Sequence, residues 1–537
     1  MDNVRILDCT LRDGGRIIDC NFKDNVIVGM SGNLAEAGIE IIEVGFLRDE
    51  QSAKYNGNST FFTGVNQINA LIKNDSSHIY TAFIDYEMFD FNRLEEYNGE
   101  GIGGIRVGFT KKQYTKQRDE IAGALKQVKD KGYKLFVQAV NTPGYSDKEM
   151  LELVEMINEI HPYSFGIVDT YGSLYLEDLS HIFDLVERNL AKGICIDIHS
   201  HNNLQSSFAF AQEIIRIAPS DRQVILDATL NGMGKCAGNL NTELIVDYLN
   251  RKKSTNYDLD LLLDTIDLYL APLKEKYTWG YSIPAFMAGI YKSHPNNVIY
   301  LTEKYRLKNK DIKYILSGID EAKRQLYDYD NIARIYEEYF SDYYNDKENI
   351  EGLRREISGR NVVILAPGKS INKYSEEIKR KTNDANAIVI SVNFEPKNID
   401  TDYVFYANAI HFSKRNLTDR SSNCIVTSNI HEEIGQARKI NYTSLIEEGS
   451  SLCDNSTIML LNLLSKLEVK QVMIAGFDGI TANEENYASS DFVNSGHGMK
   501  IDDTNREIAR LYSRVRNRYK TMMWIELITP SIYENML

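Results

Sequence analysis

The segment Asp8-Cys9-Thr10-Leu11-Arg12-Asp13-Gly14-Gly15 sets a guanidinium beside a carboxylate on a loop whose two glycines permit close backbone approach. Beside a fixed cation, Asp13 can serve as a metal ligand; alone, the pair reads as a surface ion pair or a helix cap. Far along the chain stands His199-Ser200-His201-Asn202-Asn203. Residues two apart in an extended segment share a face, so both imidazoles can converge on one ion. Two histidines with a carboxylate and open positions suit a divalent ion that also binds substrate oxygens. Mn²⁺ or Mg²⁺ fits a six-coordinate, oxygen-rich site, and Zn²⁺ or Co²⁺ is compatible with the same ligand types. A third segment, Gly232-Met233-Gly234-Lys235-Cys236-Ala237-Gly238-Asn239, can lie flat over a ligand, with Asn239 offering a carbonyl oxygen; it also reads as a plain Gly-rich turn.

Whether these segments can meet depends on the elements that carry them. Short β-branched or aromatic runs occur at residues 4–9, 39–46, 79–84, 104–109, 134–139, 164–169, 193–199 and 224–228. Helical periodicity lies between them, as at 147–160, where Met150, Leu151, Leu153, Val154, Ile157 and Ile160 repeat at three- and four-residue spacing. Eight strands alternating with helices over roughly 250 residues predict a closed (β/α)₈ TIM barrel, with an open doubly wound sheet as the alternative. A barrel requires reactive side chains at the C-terminal ends of several strands. Residues 255–345 read as helices, and a second α/β rhythm follows at 361–365, 387–392, 403–406, 424–427 and 471–475. The expected domains are a barrel over 1–275, a helical appendage and connector over 276–354, and an open-sheet, Rossmann-like α/β domain over 355–537.

Composition narrows the function classes. The 537 residues, with 34 Gly, 9 Pro and 43% hydrophobic content, describe a packed multidomain chain and exclude disorder and fibrous folds. Sixty-one Lys and Arg against 76 Asp and Glu leave a net charge of −15, which disfavours nucleic acid and anionic lipid surfaces as partners. No run approaches the roughly 18 apolar residues of a spanning helix, and no leader-like segment opens the chain, so a cytoplasmic protein without membrane insertion is expected. Six cysteines without a CxxC pair predict free thiols rather than a zinc knuckle or disulfide framework.

Four motifs in order carry a family resemblance. TLRDGG after the first strand, IEVGF at residues 42–46, HSHNN after the seventh strand and GMGKCAGNLNTE at 232–243 resemble the DRE-TIM metallolyases. That group includes 4-hydroxy-2-oxovalerate aldolase, hydroxymethylglutaryl-CoA lyase, and isopropylmalate and homocitrate synthases. The resemblance covers residues 1 to about 295, and VNTPGYSD and VDTYGS look most like an aldolase-like branch. It implies Asp13, His199 and His201 as metal ligands, Asn239 as a further ligand, Arg12 as the group stabilising an enolate oxygen, and Glu43 as its support or a substrate-orienting group. The sequence departs from the aldolases where they carry a histidine three residues after the metal aspartate, because Arg16 stands there and cannot act as a base near neutrality. Tyr291 resembles the tyrosine that works with that histidine. Cys236 resembles the catalytic cysteine of the lyase, although that loop is longer in the lyase. Arg106, Gln138, Asn141 and Thr170 are the candidates for polar contacts to substrate.

In the second domain, Gly368 and Ser370 close a strand-to-helix turn whose amides could receive a phosphate, although the first glycine of a Walker A loop is absent. Together with Asp478 they weakly resemble bacterial sialyltransferase-like nucleotide-sugar domains, and Asp478 and His497 are candidate acid/base groups. The expected activity is a divalent-metal-dependent lyase or aldolase acting on a 2-oxo acid and an aldehyde or sugar-derived partner, in a homo-oligomer. The alternatives are an acetyl-CoA-dependent Claisen-type acyl transferase, or a glycosyltransferase in the C-terminal domain with the barrel as its support.

Overall fold

A computed structural model of the chain describes residues 3–52, 55–73, 77–303, 309–326, 332, 334–335, 344–413, 423–430, 435, 437–447, 450, 452–481, 486–488 and 501–536. The chain divides into two compact units, Met1–Ile332 and Ala333–Leu537.

The first unit contains the predicted barrel. Its strands are β1 (Val4–Asp8), β2 (Ile41–Leu47), β3 (Ile79–Asp85), β4 (Gly104–Thr110), β5 (Lys134–Val140), β6 (Ser164–Asp169), β7 (Cys195–Ser200) and β8 (Val224–Ala228). Each pairs in parallel with its neighbour, and β1 pairs with both β8 and β2, which closes the ring. Strands covered on both faces need continuous apolar runs, and every residue of β2 is buried. The helices between strands follow their sequence signals. Asp147–Ile160 starts in a capping box formed by Ser146 and Glu149, buries Met150, Leu153, Val154, Ile157 and Ile160, and ends where His161 turns left-handed. Leu151, part of the same periodic run, faces solvent instead.

The helix Lys347–Ile357 falls within the second unit, and the helices from Leu259 to Arg324 fall within the first. Asn203 donates to Ala285 O at 3.0 Å and Tyr171 to Gln325 O at 3.1 Å, so these helices are tied to loops at the C-terminal ends of the strands. No helix among the described residues is long and apolar enough to cross a membrane.

The second unit holds a fully parallel seven-stranded sheet. Its strands are β9 (Asn361–Leu365), β10 (Ile388–Val392), β11 (Tyr403–Tyr406), β12 (Cys424–Thr427), β13 (Arg438–Ile440), β14 (Gln471–Ala475) and β15 (Trp524–Leu527), in the order β13-β12-β11-β10-β9-β14-β15. The five central strands are those the sequence signals. Arg-Lys-Ile and Trp-Ile-Glu-Leu escape it because edge strands are covered less and need no apolar run.

One irregularity in β2 bears on the site. The register with β3 shifts between Glu43 and Gly45, and a Cβ on Gly45 would lie 2.5 Å from the carbonyl oxygen of Thr60. The bulge therefore requires glycine there, and it sets the direction of Glu43. Gly45→Ala is expected to lower stability by about 1–3 kcal/mol, measured as a shifted denaturant midpoint; an unchanged midpoint would show that the bulge tolerates a side chain.

Candidate active site

The reactive side chains gather at the C-terminal ends of the barrel strands. Past β1 the chain turns sharply, with the amides of Arg12, Asp13 and Gly14 all directed at Cys9 O. His199 is the penultimate residue of β7, and His201 forms an antiparallel bridge with Asn239 from the Gly-rich loop after β8. A carboxylate oxygen of Asp13 and ring nitrogens of His199 and His201 lie within 4.8 Å of one another. His201 Nε2 is 4.0 Å from Asp13 Oδ2, and the imidazoles stand perpendicular with centroids 5.2 Å apart.

Asn239 closes the group from 226 positions away, donating from Nδ2 to Asp13 Oδ2 at 3.0 Å and to Met233 O at 3.1 Å. Its Oδ1 is buried without a hydrogen-bond partner among the described residues. An amide's oxygen and nitrogen are told apart only by their partners, so exchanging them turns that orphaned acceptor toward Asp13. This donor set of one carboxylate, two imidazoles and an amide fits a divalent ion. The loop bringing Asn239 here needs Gly238, which is left-handed at φ +75°, and whose Cβ would lie 1.8 Å from Gly232 O.

A second layer fixes the first. His199 Nδ1 lies 2.8 Å from Asp227 Oδ2, which directs Nε2 toward the cluster in the manner of a carboxylate–histidine–metal arrangement. Asp227 in turn accepts from Arg106 Nη2 at 2.5 Å. The same guanidinium donates to Asp197 at 3.1 Å and to Glu43 at 3.2 Å, and Gln138 Nε2 donates to Asp197 at 2.6 Å. Arg12 is held by Glu43 through Nε and by Asp13 through Nη1, both at 2.6 Å, with its guanidinium carbon 4.6 Å from the Phe83 ring centroid.

The electrostatics follow from burial and these partners. Burial opposes ionisation of Asp13, but Arg12 and the two imidazoles hold its carboxyl well below the usual range. Burial pushes both imidazoles down to about 4, so near neutrality they keep free ring nitrogens for coordination. Burial, reinforced by the neighbouring Asp227, pushes the Asp197 carboxyl up to about 7.

A cavity of about 610 Å³ opens over the cluster, lined by Arg12, Asp13, Gln138, Thr170, His199 and His201 among others. Four of the residues singled out in the sequence lie away from this cavity. Arg106 is wholly buried and does not line the cavity; it works inside the barrel as the shared cation of three carboxylates. Asn141 is also absent from the lining, because its left-handed backbone turns the chain and its amide donates to Thr170 Oγ1 at 2.8 Å. Tyr291 is not in the lining either, and its ring lies against Arg324, 5.6 Å from the guanidinium carbon. Cys236 lines a different cavity, and burial pushes its thiol up to about 12, which opposes a thiolate role. Sequence reasoning missed His294 and Gln325, which reach the lining from the helices beyond the barrel. The rarity of histidine in this chain was the one available signal for His294.

In the second unit, Gly368, Ser370 and Asp478 do come together, but as a closed turn. Asp478 accepts from the Ser370 amide at 2.8 Å and from its hydroxyl at 2.5 Å, and Thr529 lies 3.1 Å from that hydroxyl. The donors that a phosphate would need are already satisfied by the chain's own carboxylate. His497 lies outside the described residues.

Fold and site together define a closed (β/α)₈ barrel with a divalent-metal cluster candidate at its C-terminal face. Residues 3–268 match the HMGL-like family model, and they form an HMGL-like domain of the DRE-TIM type. The chain is 23% identical over 314 residues to 4-hydroxy-2-oxovalerate aldolase of Moorella thermoacetica, covering 58% of this chain and 90% of that protein. It is 23% identical over 315 residues to 2-isopropylmalate synthase of Sulfolobus acidocaldarius, covering 53% and 71% respectively. Among solved structures, the HMG-CoA lyase of Brucella melitensis superposes with a TM-score of 0.43 at 15% identity, over 51% of this chain and all of that one.

Two predictions follow from the cluster. His199→Ala and His201→Ala are each expected to abolish stoichiometric Mn²⁺ retention, measured by elemental analysis after gel filtration, and Asp227→Asn to weaken it by roughly 10–100-fold; retention equal to wild type in both histidine variants would dissolve the site. In metal-stripped protein the unfolded chain takes up imidazole protons near 6.5, whereas the native state resists until about 4. Native stability should therefore fall as pH drops through that window, and His201→Gln should flatten the dependence of the thermal midpoint on pH.

Proposed function

We propose that the barrel is a divalent-metal-dependent carbon–carbon lyase or aldolase that works through the enolate of a pyruvate-like 2-oxo acid. The observation that carries this reading is the convergence of Asp13, His199 and His201 beside Arg12 in one cavity. An ion held by these three side chains and Asn239, Mn²⁺ or Mg²⁺ by ligand type, would supply a positive centre for the carboxylate and keto oxygens of the substrate.

The chain's own residues bind and orient the substrate and hold the charge that develops on it. Arg12 lines the cavity with its Nε and Nη1 already fixed by Glu43 and Asp13. Removal of a proton from the carbon next to the keto group moves negative charge onto the keto oxygen. A preorganised, desolvated guanidinium holds that charge without reorganising. Glu43 is fully buried behind Arg12, so its part is to orient the guanidinium rather than to touch substrate. Gln138 and Thr170 line the wall and offer an amide and a hydroxyl to the substrate's polar groups. That a relative is named for 4-hydroxy-2-oxovalerate, itself a 2-oxo acid, supports the substrate class.

With Mn²⁺ present, the protein should exchange the methyl protons of pyruvate for deuterium, followed by NMR. Arg12→Lys should slow that exchange by roughly 10²–10³-fold, the usual cost of losing one charge-stabilising donor. Absence of exchange with every divalent ion would overturn the proposal, and release of CoA from acetyl-CoA in the presence of a 2-oxo acid would identify an acyl transferase instead.

A further inference from the structure

A second cavity, of about 530 Å³, lies next to the first within the barrel unit. Arg16 and Lys235 line both, so these two side chains form the partition between them. Beyond the partition the lining includes Lys276, Tyr277, Trp279 and Tyr281. Three cations and no carboxylate face this space, in a chain whose net charge is −15. A positive cavity inside an acidic protein is a focused local field rather than a sample of the average surface.

The details point to an anion. Arg16 is partly balanced by Asp13, with Nε 3.3 Å from Oδ1. Lys235 forms no ion pair among the described residues, and its Nζ reaches only the amide oxygen of Asn296 at 3.4 Å. Burial, with repulsion from Arg16, works against its charge, a cost that a bound anion removes. The Cys236 thiol stays protonated and adds no negative charge. Tyr277, Trp279 and Tyr281 share the lining. Trp279 is buried and oriented by donation from its indole nitrogen to Asn231 O at 2.9 Å, whereas Tyr281 is 56% exposed. Flat aromatic surface beside several cations suits a short polyhydroxylated carbon chain ending in a dianion.

We propose that this cavity is the subsite for a phosphomonoester-bearing aldehyde, such as a phosphorylated aldose, with its phosphate between Arg16, Lys235 and Lys276. The proposal deepens the pyruvate reading and rests on it for the role of the bound aldehyde as reaction partner. In the joining direction the enolate carbon of the 2-oxo acid bonds to the aldehyde carbon. The enolate's C=C pair forms that bond as its oxygen re-forms the keto group, the aldehyde's carbonyl π pair moves onto the aldehyde oxygen, which takes up a proton from water, and the phosphate remains unreacted.

Trp279 is one of two tryptophans, which makes binding observable without turnover. Titration of the Mn²⁺-loaded full chain with inorganic phosphate should change its fluorescence saturably, and Trp279→Phe should remove that change. Lys276→Met alters an exposed side chain that lines only this cavity, and Lys235→Met alters the partition. Each should raise the phosphate midpoint about tenfold or more, the scale of one lost charged contact. Glyceraldehyde 3-phosphate should bind more tightly than succinic semialdehyde, and both more tightly than glyceraldehyde. No saturable phosphate effect, equal midpoints in wild type and both lysine variants, or equal binding of the three aldehydes would overturn the proposal. Pyruvate deuteration measured in parallel separates the two claims: exchange without phosphate binding removes the subsite alone, and phosphate binding without exchange removes the pyruvate reading alone.

Discussion

A guanidinium sealed from water sits at the centre of this barrel. Arg106 has no solvent exposure, yet it bonds Glu43, Asp197 and Asp227 together. Removing one partner of such a group strands the others as uncompensated buried charges, which costs far more than a surface pair. The arrangement therefore holds or fails as a unit. Two of the carboxylates it fixes face the reactive layer: Glu43 aims Arg12, and Asp227 aims His199. The positions of Arg12 and His199 are thus set by a residue that does not line the cavity.

That dependence explains the polar filling of a barrel interior that is usually packed with branched apolar side chains. Gln138 bridges the two roles, donating to Asp197 while also lining the cavity. Across the Arg16 and Lys235 partition the balance changes. In the first cavity, carboxylates of Asp13, Asp85 and Glu87 offset the cations, whereas the second presents cations alone. Neighbouring spaces that share a wall but differ in charge can hold two reactants of different kinds.

The eight barrel strands were legible in the sequence because each is covered on both faces and so is rich in β-branched and aromatic residues, with polar side chains interspersed among them. The two edge strands of the second sheet were not, since partial cover lets charged and polar residues stand there. The convergence of Asp13, His199 and His201 was legible from a two-residue histidine spacing and a glycine-flanked carboxylate. Arg106 misled because a lone arginine in a strand reads alike whether it faces a ligand or a buried carboxylate. As cavity-lining residues, Gln325 left no signal in the sequence and His294 only its rarity, because both depend on helices folding back onto loops distant in the chain.

The sequence by itself determined periodicity, and with it the strand rhythm, the barrel and the pairing of imidazoles on one face, because side-chain direction along a strand is a local property. Tertiary structure alone decided which charged groups were left facing solvent and which were locked inside. It placed Arg106 within the barrel, Cys236 in the second cavity, and the carboxylate of Asp478 on the turn where a phosphate was expected. Charge burial depends on what packs around a residue from elsewhere in the chain, and no local pattern encodes that.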